Sequence, residues 1–82
     1  MDQITEGLIC NLYENDNDRY FILKVTDIEN EKYALVAPII ANTNPLRYDD
    51  AKMFCIKVQG ENGFETVKDK NVIRTLVELW SN

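Results

Sequence analysis

The chain has 82 residues, 45% of them hydrophobic, which suffices for one small domain and no more. Nine Lys and Arg stand against fourteen Asp and Glu, a net charge of −5, so the basic footprint that direct binding to nucleic acid or anionic lipid requires is missing. Histidine is absent from the sequence, and with it go Ser/His/Asp triads, Cys/His pairs and histidine-containing zinc sites.

The opening stretch, Met1 to Gly7, carries two acids and no basic region. The longest apolar run falls far short of the roughly 18 residues of a membrane span. No membrane association is expected, and the expected compartment is the cytoplasm of a bacterial-type or phage-type system. From Glu6 to Tyr13 apolar residues alternate loosely, with Leu8, Cys10 and Leu12 on one parity, as in a first strand. Glu14-Asn15-Asp16-Asn17-Asp18 reads as a solvated hairpin turn, because Asn and Asp tolerate left-handed backbone angles. Its alternating oxygen donors begin as a calcium loop does. The sixth position would be Arg19 instead of glycine and the twelfth Val25 instead of glutamate, so calcium is set aside.

Tyr20 to Ile28 predicts a second strand, with Phe21, Leu23 and Val25 on one face and Tyr20, Ile22, Lys24 and Thr26 on the other. Glu29-Asn30-Glu31 makes a tight turn into Lys32 to Ile40, whose unbroken apolar run marks the most buried strand. Pro38 there predicts a bulge or an exit from the ladder. Ala41 to Asp50 is the longest connection. Its Leu46, Arg47, Tyr48, Asp49 and Asp50 form the candidate partner-binding site, since sizeable apolar groups beside an arginine in a polar loop resemble interface anchors. The alternative is that one of Leu46 and Tyr48 tucks back onto the sheet edge. Asp49-Asp50 as half of an acid/base pair is outweighed by a solvated charge cluster or helix-start signal.

Ala51 to Gln59 predicts a fourth strand, with Phe54, Ile56 and Val58 opposite Met53, Cys55 and Lys57. Gly60-Glu61-Asn62-Gly63 is a turn signal, and Phe64 to Lys68 is the fifth strand. Asp69 is placed to cap a helix in which Val72, Ile73, Leu76, Val77 and Trp80 make one apolar stripe. Cys10 and Cys55 both sit in apolar runs outside any CxxC pair and are read as reduced core or near-core thiols, the alternative being a disulfide between neighbouring strands. The expected fold is α+β: one domain over residues 1–82, a five-stranded, mainly antiparallel meander with one C-terminal α-helix packed on one face. One helix covers one face only, so the second face is a candidate homodimer or partner surface.

The order Val25-Thr26-Asp27-Ile28, Glu31-Lys32-Tyr33-Ala34-Leu35-Val36-Ala37-Pro38, an extended polar stretch, Met53 to Val58, Asn62-Gly63-Phe64-Glu65, then Val67-Lys68-Asp69 and an apolar helix resembles the YrzB-like family. These are small acidic bacterial proteins that share a domain of unknown function. The resemblance runs from about Ile4 to Trp80. It implies the same α+β architecture and carries no activity with it. The sequence thus leads to a small acidic, non-catalytic protein-interaction or regulatory module without metal or cofactor, acting on a protein partner. The alternative is an acidic phage-type inhibitor that mimics nucleic acid and blocks a DNA-binding enzyme. That reading ranks second because its carboxylates are expected to divide between the two ends of the meander.

Overall fold

A computed structural model describes residues 4–12, 18–59 and 63–82. The polar run Glu14 to Asn17 and the turn at Gly60 to Asn62 lie outside the described residues. Strands β1 (Ile9–Cys10), β2 (Tyr20–Ile28), β3 (Glu31–Ala41), β5 (Phe54–Val58) and β6 (Phe64–Thr66) form a curled antiparallel sheet in the order β1-β2-β3-β5-β6. Helix α1 (Lys70–Ser81) closes the order, and a short β4 (Arg47–Tyr48) pairs with the far end of β3. The α+β meander with a C-terminal helix is therefore the fold.

The two sides of the sheet hold separate cores. Leu23, Leu35, Ala37 and Cys55 pack with Leu76 under α1, with Val72, Ile73, Val77 and Trp80 of the helical stripe around them. On the opposite side, Tyr20, Ile22, Ala34, Val36 and Ile56 pack with Ile4 and Leu12 of the N-terminal segment. Ala34 to Ala37 are fully buried because β3 is the central strand and each successive residue faces the other core. The second face is thus not left open at its centre: Ile22 is 1% exposed and Val36 and Ile56 are wholly covered within the single chain. The sheet's own curl and the N-terminal residues do what a second helix would otherwise do.

Several boundaries differ from the sequence reading. β1 spans two residues instead of eight, because Gly7 at φ +84 ends the regular ladder. Ile22 bonds to both Gly7 and Leu8, the N–H of Gly7 donating to its carbonyl at 2.9 Å and its own N–H donating to Leu8 at 2.9 Å. That two-against-one pairing is a bulge with glycine at the left-handed position. In β2, the register steps from Ile22 opposite Val36 to Lys24 opposite Leu35, so Leu23 is an extra residue. Val25 consequently faces the core opposite the helix with Ile22, not the helix side with Phe21 and Leu23.

The turn between β2 and β3 is two residues long, Glu29 and Asn30, both at positive φ (52° and 68°), as the twist of a tight hairpin demands. At Pro38 β3 changes neighbour. Its pairing with β5 ends at Val36 opposite Phe54, and pairing with β4 begins at Ile39 opposite Tyr48. Proline has no N–H to give the ladder, but its carbonyl still accepts the Asp49 N–H at 2.9 Å. Asp69 caps α1 as expected, its carboxylate accepting the Asn71 N–H at 2.9 Å.

Candidate functional site

The connection that the sequence reading singled out is folded against the sheet. Arg47 and Tyr48 form β4, and Asp50 to Lys52 form a single 3-10 turn. Asp49 caps that turn: its Oδ1 accepts the Ala51 N–H at 3.1 Å, and its Oδ2 lies 4.0 Å from Lys52 Nζ. Tyr48 stacks on Phe21 of β2, ring centroids 5.1 Å apart and planes 15° from parallel, and packs into the helix-side core. Tyr48 is therefore the member of the pair that turns back onto the sheet, since a stacked ring buries more apolar area than it could in solvent.

The five residues fall into two groups. Tyr48 and Asp49 hold the corner together, while Leu46 is half-buried and Arg47 and Asp50 are exposed. Beside them stands a residue the sequence reading placed in the most buried strand. Ile40 occupies the irregular step between Ile39 and Ala41 and is 57% exposed. Its signal in the sequence is position: it follows Pro38, where the apolar run outlasts the pairing with β5. The corner thus presents an isoleucine, a half-covered leucine, an arginine and a carboxylate on a braced backbone, a composition suited to protein contact.

Apart from this corner, an open groove of about 390 Å³ lies between the start of α1 and the β5–β6 edge. Tyr33, Val67 and Val72 line it, with Lys57, Glu65 and Lys68 among its charged groups. Its charges are largely engaged with neighbours. Lys57 Nζ lies 3.6 Å from Glu31, and Glu65 accepts from the Gln59 amide. Asp69, also at this groove, is committed to the helix start. Among the described residues no three His, Cys, Asp or Glu side chains gather into a metal-binding group.

Both cysteines are free thiols on different sides of the sheet, Cys10 against the opposite core and Cys55 under the helix, with β2 and β3 between their strands. Burial away from water raises both, pushing Cys55 up to about 11. Glu6 behaves in the opposite sense. Its Oε1 accepts the Val25 N–H at 3.0 Å and lies 3.3 Å from Lys24 Nζ, and the backbone bond, followed by the lysine, holds its carboxyl below the usual range.

The described carboxylates are spread along the sheet: Glu6 meets Val25 partway along β2, and Glu65 lies opposite Lys57 of β5. Asp49 sits beside Pro38, near the Tyr20 end of the β2–β3 hairpin, whereas Glu29 and Glu31 mark its turn. No helix of the described residues is long and apolar enough to cross a membrane. Comparison of the chain with family models, with curated proteins and with solved structures finds no match.

Proposed function

We propose that this chain is a non-catalytic protein-interaction module that contacts its partner through the β4 corner. The observation that carries the reading is the arrangement of that corner. Tyr48 and Asp49 brace it from beneath, and Ile40, Leu46, Arg47 and Asp50 are left on its surface. An apolar centre with a charged rim on a fixed backbone loses little conformational entropy on docking. The lack of histidine in the sequence agrees with a binding role. Membership of the YrzB-like family, on the order and spacing of the motifs, and a cytoplasmic setting form part of the same proposal. Nucleic-acid mimicry is disfavoured because a mimic needs one continuous acidic stripe, whereas Glu6, Glu31 and Asp49 each lie beside a lysine, Lys24, Lys57 and Lys52.

The test uses exposed residues only, so that binding is separated from folding. Wild-type protein and an Ile40→Asp, Arg47→Glu variant are used to capture proteins from the native host, and any captured protein is then purified and titrated against both. The expected result is saturable one-to-one binding by wild type, weakened at least tenfold in the variant, with unchanged thermal unfolding. Equal binding by both variants, or capture by neither, defeats the proposal, and capture of a DNA-binding enzyme that the variant also retains favours mimicry.

A further inference from the structure

Every sheet edge presents backbone groups that a further strand could pair with, and proteins blunt such edges with charge. Three of the edges here are blunted. Glu65 stands in the middle of β6, Arg47 lies in β4, and where β1 stops short of β2's second half, the Glu6 carboxylate takes the Val25 N–H with Lys24 beside it. The outer edge of β1 is different. From Gly7 to Leu12 the sequence Gly-Leu-Ile-Cys-Asn-Leu contains no charge, although the chain as a whole carries −5.

The direction of the free groups follows from the bonds already made. Leu8 gives its carbonyl to Ile22, and Cys10 lies opposite Tyr20, so the intervening Ile9 directs its N–H and C=O away from β2. Among the described residues neither has a partner on that side. Leu8 beside it is 50% exposed, apolar area that a strand paired along this edge would cover.

We propose that this edge pairs with the same edge of a second copy, antiparallel and about a two-fold axis at Ile9. The two Ile9 residues then exchange N–H to C=O bonds, and Leu8 of each copy lies opposite Cys10 of the other. The neutral run meets itself, so no like charges face one another across the axis, which a closed two-fold contact requires. A strand from an unrelated protein would satisfy the backbone equally. A copy of this chain also covers both Leu8 side chains at once and sets an uncharged run from Gly7 to Leu12 against another uncharged run. The surface is separate from the β4 corner, and the pairing stands whether or not that corner binds a partner.

The contact is short and belongs with weak interfaces, so it is sought by sedimentation equilibrium from about 10 µM to about 1 mM. Wild type is expected to pass from monomer to dimer in that range, and Leu8→Lys to stay monomeric with unchanged circular dichroism and thermal unfolding. The pairing puts the two Cys10 Cα atoms roughly 8 Å apart, from the strand rise and spacing. A short bis-maleimide is expected to link wild-type chains into a dimer, and the link is expected to vanish in Cys10→Ser and in Leu8→Lys. Hydrogen exchange of the Ile9 amide is expected to slow as the dimer forms. A wild-type monomer throughout the range overturns the proposal, as does a dimer that Leu8→Lys leaves intact.

Discussion

The Cys55 thiol, sealed beneath α1, ionises only near pH 11, whereas an unfolded chain loses the same proton near 9. The folded state therefore holds the proton more tightly, and stability that is complete below pH 9 declines as the pH climbs toward 11. Urea midpoints measured between neutral pH and pH 11 are expected to fall across that window, with a shallower decline in Cys55→Ala. The same burial orders the two thiols kinetically. Cys10, half-covered at the sheet edge, is expected to react with a disulfide reagent in the native protein, and Cys55 only on unfolding. Glu6 works at the other end of the scale. Its folded carboxyl lies below the ordinary 4.5, so its contribution is present above that value and is lost as the pH falls through the folded one. Glu6→Gln keeps an acceptor for the Val25 N–H and removes the charge, so its stability is expected to depend less on pH in the acid range.

At the scale of elements, the hairpin turn offers the clearest test. Glu29 at φ 52° is a side chain held where a Cβ is crowded, and Asn30 at φ 68° is better suited but still second to glycine. Glu29→Asn with Asn30→Gly restores the preferred pair for a two-residue hairpin and is expected to raise stability by about 1 kcal/mol in urea titration. Asp69→Ala removes the acceptor for the Asn71 N–H and is expected to cost about 1 kcal/mol. The elements legible in the sequence are those whose signals are local: the Tyr20 alternation, the Glu29-Asn30 turn, the Asp69 cap and the stripe from Val72 to Trp80. The rest depended on partners far along the chain. β4 is two residues long and exists only because Asp49 and Tyr48 find Pro38 and Phe21, which no period reveals. The shortening of β1 and the change of face at Val25 come from bulges, and a bulge breaks the parity on which an alternating reading rests.

For the whole molecule, the sheet is a partition between two cores, and α1 completes only one of them. Leu76 is the helix's one wholly buried side chain, and Leu76→Ala is expected to cost roughly 2–5 kcal/mol, a large share of what a domain this small possesses. A single cooperative transition followed by both far-ultraviolet dichroism and Trp80 fluorescence is the expected mode of that loss. The candidate site was legible only as a place. Sequence composition pointed to Leu46 through Asp50, but which of them brace the corner and which face outward was decided by Phe21, Ala51 and Lys52, and Ile40 came into view only once the partner change at Pro38 was known.

The extra residue in β2 has a genetic corollary. Leu23 alone separates Ile22, opposite Val36, from Lys24, opposite Leu35, so an in-frame loss of its codon would leave every pairing on both sides of it as it stands. The same lesion at Leu35 would shift the rest of β3 by one place and send each core's side chains into the other. Length variation in this chain's descendants is therefore expected to accumulate at the exposed Ile40 step and to be purged from the four residues Ala34 to Ala37, while loss of Leu23 keeps the register but takes a buried leucine from under α1. A deletion scan scored by soluble yield would map the partition directly, with no structure determination needed.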